Sequence, residues 1–213
     1  MKKVFLLAAF LQVISFCSSG QIYKDGTNYS GIIQIDSSEY YIISKLIDKN
    51  SKSKYGMSRG YGNEATNIYI YNSRLKQSKA LFSLSPALIS AVVADYKIYN
   101  RGYGGQGIKS STILTDDLLF LAQDKDYNGD GIIDDDDPAY LFVSTKSGDD
   151  LTRITPVDMN VVSWTASNDG RVLIVRLQKD ANNDKKFTSE SELIYEIDLN
   201  KDISKIKITP IPL

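Results

Sequence analysis

The 213-residue chain has no histidine and a single cysteine, Cys17. Without imidazole there is no side chain that ordinarily titrates between pH 5 and 8. Ser-His-Asp and Cys-His nucleophile chemistry and His-rich metal centres are therefore excluded. One thiol rules out an intrachain disulfide and a Cys-rich zinc site. Charge of one sign is also missing. With 25 Lys and Arg against 26 Asp and Glu, the formal net charge is −1, which offers no basic footprint for nucleic acid. At 42% hydrophobic and 24% charged, the chain fits one soluble globular domain or two small ones. Neither disorder nor a polytopic membrane protein is expected from this composition.

What is present begins with a targeting segment, residues 1–20. Lys2 and Lys3 precede an apolar run from Val4 to Phe16, interrupted by Gln12 and Ser15. This is the length of a signal-peptide h-region and too short to span a bilayer. The chain is expected to be exported. Losing Lys2 and Lys3 takes the formal charge from −1 to −3. Two processing routes compete. Val13 to Gly20, with Cys17 at the end of the h-region and a short Ser/Gly tether behind it, resembles a bacterial lipoprotein signal. That resemblance implies cleavage before Cys17, a lipid on its sulfur and a membrane anchor in the cell envelope, at the outer membrane, periplasmic or cell surface. Alternatively, Ser18-Ser19-Gly20 serves ordinary signal peptidase, which leaves Gln21 first in a secreted protein.

The remainder, 21–213, is expected to be a single repeat domain. The C-terminal half aligns with itself, without gaps, at an offset of 54 residues, a period typical of solenoids and propellers. Leu119 pairs with Leu173, Lys125 with Lys179, Asp126 with Asp180, Asn128 with Asn182 and Asp130 with Asp184. Ile154-Thr155-Pro156 pairs with Ile208-Thr209-Pro210. Short apolar runs predict strands at Leu118–Ala122, Tyr140–Val143 and Leu151–Thr155, and again at Val161–Ala166, Val172–Leu177, Leu193–Ile197 and Ile203–Thr209. Ser167-Asn168-Asp169-Gly170 reads as a tight turn. A diverged copy predicts strands at Gly31–Ile35, Tyr40–Leu46, Asn67–Tyr71 and Ala80–Leu84, with an extra apolar segment at Ala87–Tyr99. The expected fold is all-β, built from repeated four-stranded antiparallel meanders in units of about 31–84, 105–156 and 157–210.

Ile154-Thr155-Pro156, then Val162-Ser163-Trp164, then Ser167 to Gly170 and the strand Val172–Val175, is similar to the TolB-type β-propeller repeat. Asn168 stands where that family usually has proline. The resemblance covers about one unit and implies a partial or small propeller. Such a chain stays incomplete, recruits Ala87–Tyr99 into a fourth blade, or closes against another copy in a homo-oligomer. A sandwich of generic antiparallel strands remains the alternative.

The clearest chemistry lies in two acidic loops. Asp126 to Asp137 fits a calcium loop, with Asp126, Asn128, Asp130, Asp134 and Asp137 at positions 1, 3, 5, 9 and 12. Ile132 offers its carbonyl at position 7, Gly131 makes the sharp turn and Ile133 is the apolar anchor. Ca²⁺ takes six to eight oxygen ligands, which a loop curling around the ion supplies from alternate residues. Seven Asp lie between Asp124 and Asp137, and their repulsion opposes a compact loop unless a cation is present. In the second loop Asp180, Asn182 and Asp184 hold positions 1, 3 and 5, Lys186 position 7 and Phe187 position 8. Glu190 and Glu192 are the nearest later carboxylates. The alternative for either loop is an Asn/Asp-rich turn held by side-chain hydrogen bonds. The equivalent N-terminal loop keeps only Asp48 and Asn50 and is not expected to bind a cation. Both acidic loops resemble the EF-hand but lie between predicted strands, so groove opening by helices has no counterpart. The expected ion is a structural Ca²⁺.

Arg59-Gly60-Tyr61-Gly62 recurs as Arg101-Gly102-Tyr103-Gly104, either as flexible turns or as a sugar-contacting face. No carboxylate pair outside the acidic loops has a diagnostic setting, and an enzyme is not expected. The expected function is a lipid-anchored binding or scaffold protein of the bacterial envelope with an unknown protein or glycan ligand. The alternatives are a secreted glycan-binding or glycan-processing accessory protein and a carboxylate-dependent hydrolase.

Overall fold

A computed structural model describes residues 28–35, 38–46, 65–82, 87–94, 97–100, 117–167, 170–187, 190–200 and 202–213. The signal segment with Cys17, the two Arg-Gly-Tyr-Gly runs, and Asp48 and Asn50 lie outside them. The described residues are all-β and antiparallel, and among them no helix is long and apolar enough to cross a membrane.

The first unit runs β1 (Tyr29–Gln34), β2 (Tyr40–Leu46), β3 (Ala65–Asn72) and β4 (Gln77–Ala80), each paired with the next. β4 sits earlier than the expected Ala80–Leu84. The chain turns immediately after β3, where Asn72 Oδ1 accepts the N–H groups of Arg74 and Leu75 at 2.9 and 2.8 Å. Leu81 and Phe82 still enter the core, but Phe82 is held by a side chain rather than a strand. Asn67 accepts its N–H at 3.1 Å and donates to its carbonyl at 2.7 Å.

The second unit is β5 (Leu88–Ala94), β7 (Asp117–Gln123), β8 (Tyr140–Thr145) and β9 (Thr152–Arg153), with β6 (Lys97–Asn100) forming a hairpin on β5. The segment Ala87–Tyr99 thus supplies the strand beside β7. One pairing, Ala65 with Ile89, joins the first two units into a nine-stranded sheet. The third unit is a separate four-stranded meander of β10 (Met159–Ala166), β11 (Val172–Lys179), β12 (Glu192–Asp198) and β13 (Ile208–Pro210). Its last strand is shorter than expected, because Asp202 caps a 3₁₀ turn at Ile203–Lys205 by accepting the Ser204 N–H.

The central runs Leu118–Ala122 of β7 and Tyr140–Val143 of β8 are continuously apolar because both of their faces are covered. Leu118, Phe120, Tyr140 and Phe142 pack with Ile42, Ile68, Ile70 and Phe82 of the first unit. Leu119, Leu141 and Val143 pack with Val161, Leu173, Val175, Leu177 and Ile197 of the third. Each buried Leu or Phe contributes about 1.5–3 kcal/mol. β11 has only one covered face and alternates accordingly, with Leu173, Val175 and Leu177 buried and Ile174 and Arg176 exposed. The Phe82 and Phe142 rings meet edge to face at 5.4 Å, and Lys79 pairs with Asp149 at the rim.

The Ile-Thr-Pro motif also has a packing role. Thr155 is buried, and its hydroxyl accepts the Leu141 N–H at 3.1 Å beyond the short ladder of β9. The connections β7–β8 and β11–β12 are the two acidic loops. Val161 donates to the Ala139 carbonyl at 2.9 Å and Asp180 to the Asp158 carbonyl at 3.0 Å, so both loops are held at the same end of the packed units.

Candidate metal centre

The first loop is folded by its own side chains. Asp126 Oδ1 accepts from Gly129 N–H at 2.6 Å and Asp130 N–H at 3.2 Å, and its Oδ2 accepts from Gly131 N–H at 2.8 Å. Asn128 Oδ1 accepts from Asp130 N–H, and Asp130 Oδ1 from Ile132 N–H, each at 2.8 Å. Gly129 and Gly131 have φ of 84° and 90°, the left-handed region where a side chain is disfavoured. Ile133 is buried as the expected anchor, whereas the Ile132 side chain is exposed. Asp134 Oδ1 accepts from Asp136 N–H at 3.0 Å.

Asp137 is 3% exposed. Its Oδ1 accepts from Tyr127 N–H at 2.7 Å and Asn128 N–H at 3.3 Å, and its Oδ2 from Asp134 N–H at 3.2 Å. Burial pushes its carboxyl above the usual range. The three N–H groups counter that push, and the charge of Asp126 adds to it.

The second loop repeats three of these bonds 54 residues on, but not the two onto Asp126 Oδ1, whose counterpart, Asp180 Oδ1, has no donor. Lys185 N–H donates to Asp180 Oδ2 at 3.1 Å, Asp184 N–H to Asn182 Oδ1 at 3.0 Å, and Lys186 N–H to Asp184 Oδ1 at 2.9 Å. The cross-loop amide bond also recurs, from Asn128 to Asp130 at 3.2 Å and from Asn182 to Asp184 at 3.1 Å. Asn183 and Lys185 take the places of the two glycines, at φ of 58° and 64°. A left-handed lysine is strained by about 1–2 kcal/mol, so the loop holds this geometry against local preference. Phe187 takes the place of Ile133, and each is 7% exposed.

Asp180, Asp184 and Glu190 each bring a carboxylate oxygen within 4.8 Å of the others. Asp180 is 3% exposed, and its Oδ1 is buried with no hydrogen-bond donor. At 4 Å two such charges repel by about 4 kcal/mol at an effective dielectric of 20, and a buried carboxylate oxygen without a donor adds a desolvation cost. This group can hold a metal ion. Glu192 stands apart, at the start of β12, with its Oε2 3.3 Å from Arg176 Nε. Lys186 is exposed, so at position 7 it has a backbone carbonyl to offer and a side chain in solvent.

Among the described residues, this is the one group of three converging carboxylates. The first loop matches the sequence pattern better, but no three of its carboxylates converge in this way among the described residues. In the second loop Glu190, a methylene longer, reaches back toward Asp180. In the gapless 54-residue alignment Glu190 falls opposite Asp136 and Glu192 opposite Pro138, a signal that position-by-position matching to the calcium-loop pattern does not use.

Tyr127 was also missed by the loop pattern. Its hydroxyl donates to Asp180 Oδ2 at 3.1 Å, and its ring lies 5.7 Å from that of Phe187. Burial and then the Asp180 contact push its hydroxyl above the usual tyrosine value. The alignment places Ala181 at the equivalent position, and that mismatch was the available signal. Between the loops is a cleft of about 700 Å³ whose lining includes Asp130, Asp136, Lys185, Lys186 and Gln178. At the root of the first loop, Tyr140 donates to the Val157 carbonyl at 2.7 Å under the Arg153 guanidinium. Compared with known proteins, the chain matches no family model and shows no significant similarity to any curated sequence.

Proposed function

We propose that this is an exported, lipid-anchored β-protein of the bacterial envelope in which both acidic loops hold structural Ca²⁺ and the units act as a TolB-like binding or scaffold module. One observation carries the calcium assignment: Asp180, whose buried Oδ1 has no donor, brings a carboxylate oxygen within 4.8 Å of those of Asp184 and Glu190. A cation satisfies the orphaned oxygen and cancels the repulsion together. The donors are all oxygens on an irregular loop, which fits calcium's flexible six-to-eight coordination better than magnesium's strict octahedron. Asp180, Asn182, Asp184, Glu190 and the Lys186 carbonyl supply the second loop. Asp126, Asn128, Asp130, the Ile132 carbonyl, Asp134 and Asp137 supply the first. The loops join strands, so the ion's effect is to pin a long connection. Cys17 carries the anchor, and its replacement by serine moves the protein out of the membrane fraction.

The test is thermal unfolding in EDTA and then in excess Ca²⁺. At a calcium concentration 100 times Kd the stabilisation is about 2.7 kcal/mol per site, or about 5–10 °C for a chain of this size. Asp180→Asn and Asp126→Ala each remove part of the shift. No shift in the unaltered protein would sink the assignment.

A second reading, a secreted glycan-binding accessory protein, is favoured by a groove on the outer face of the first unit. It measures about 770 Å³ and is lined by Tyr29, Tyr41, Tyr69 and Tyr71 with Ser73, Lys76 and Ser78. Aromatic faces beside hydroxyls and an ammonium suit sugar stacking. Loss of glycan-array binding on Tyr41→Ala with Tyr71→Ala supports this reading, and silence of the unaltered protein across the array removes it.

A further inference from the structure

We propose that the two loops bind calcium as a cooperative pair coupled through Tyr127, a step that rests on the calcium assignment above. Tyr127 touches both sites with different parts of the same residue. Its backbone N–H holds Asp137 Oδ1, at the twelfth position of the first loop, at 2.7 Å. Its hydroxyl holds Asp180 Oδ2, at the first position of the second loop, at 3.1 Å. Its ring packs against Phe187, the anchor of the second loop, at 5.7 Å.

The consequence for Asp180 is specific. Its Oδ2 is engaged by the Tyr127 hydroxyl and the Lys185 N–H, while Oδ1 is buried and has no donor. Tyr127 therefore selects which oxygen of Asp180 is left for the ion. A cation in the first loop fixes Asp137 and the backbone of Tyr127, and through that residue the orientation of Asp180. The ordering cost of the second site is then already met when its ion arrives, which is positive coupling between sites. A cation in the second loop fixes Tyr127 from the other side, and linkage requires the two effects to be equal. Repulsion between the two ions opposes the coupling. Seven Asp between Asp124 and Asp137, and the three converging carboxylates of the second loop, screen it.

A hydrogen bond to a charged group has the strength to set a coupling on the order of tenfold. The experiment is calorimetric titration with CaCl₂ of the unaltered protein, of Asp130→Ala to leave the second loop, of Asp184→Ala to leave the first, and of Tyr127→Phe. The phenylalanine variant keeps the ring against Phe187 and removes only the hydroxyl. The unaltered protein should take up two ions with a Hill coefficient of about 1.5. Each single-loop variant should bind one ion about tenfold more weakly than the same loop in the intact pair, and by the same factor in both. Tyr127→Phe should bind two ions with a Hill coefficient of about 1.

Two ions bound independently by the unaltered protein, or cooperativity that survives in Tyr127→Phe, overturns the coupling and leaves the calcium assignment standing. No uptake by the unaltered protein overturns both, and uptake of a single ion overturns the pair. If a single-loop variant does not fold, the comparison of the unaltered protein with Tyr127→Phe decides the matter alone.

Discussion

Gly148→Ala tests how the first unit seats on the second. Gly148 sits in the turn after β8, where its N–H donates to the Thr145 carbonyl at 2.9 Å. Two separate penalties meet there. Its φ is +76°, and an L side chain in that region costs about 1–2 kcal/mol. The added Cβ would also lie 2.9 Å from Ile70 Cγ1 and 3.4 Å from Ile70 Cβ, with Leu81 Cδ1 at 3.5 Å. Ile70 is 2% exposed, in the core between the two units, and has little room to retreat, so overpacking adds about 1–3 kcal/mol. The total is about 2–5 kcal/mol, or a fall in Tm of roughly 5–15 °C. Urea unfolding gives the free energy directly. In an Ile70→Ala background the steric part disappears, and Gly148→Ala should cost only the backbone part, about 1–2 kcal/mol. A loss below about 0.5 kcal/mol in the unaltered background would refute the packing of this turn on Ile70.

Two further predictions concern the same body of the protein. Thr155→Val keeps the shape of the side chain but leaves the Leu141 N–H buried without an acceptor. Urea unfolding should show a loss of about 1–3 kcal/mol that Thr155→Ser largely restores, and equal losses in both variants would contradict the hydrogen-bond account. Asp149 is held below the usual carboxylate range by the Lys79 ammonium and the Ser147 hydroxyl. Its contribution is therefore present above the unfolded carboxylate pKa and is lost as pH falls through the lowered value. Both partners are about half exposed, so Asp149→Asn should cost only about 0.2–1 kcal/mol at pH 7. The difference should vanish in acid, and one that persisted there would contradict the ion pair.

Much of this architecture was legible because it repeats. The alignment that paired Asp126 with Asp180 and Asn128 with Asn182 also paired the bond onto Oδ2 of each Asp and the bond onto Oδ1 of each Asn. The continuous apolar runs of β7 and β8 marked strands covered on both faces. Other features were hidden for identifiable reasons. Leu81 and Phe82 read as part of a strand because they are apolar, yet the Asn67 side chain holds Phe82 where a neighbouring strand would. The polar Gln77-Ser78-Lys79 gave no alternation by which to place β4. The pairing of β5 with β7 spans a long separation in the chain, which local pattern does not encode. Glu190 and Glu192 both miss the twelfth loop position, and what separates them is that Glu190 aligns with Asp136 while Glu192 aligns with Pro138 and opens β12.

The central claim, that the carboxylates of the second loop exist to hold a calcium ion, is tested most directly by diffraction from crystals grown in CaCl₂. The account predicts an anomalous calcium peak with Asp180 Oδ1, Asp184 and Glu190 at about 2.3–2.6 Å. An ordered loop in millimolar calcium with a water, or nothing, between those three carboxylates would contradict it.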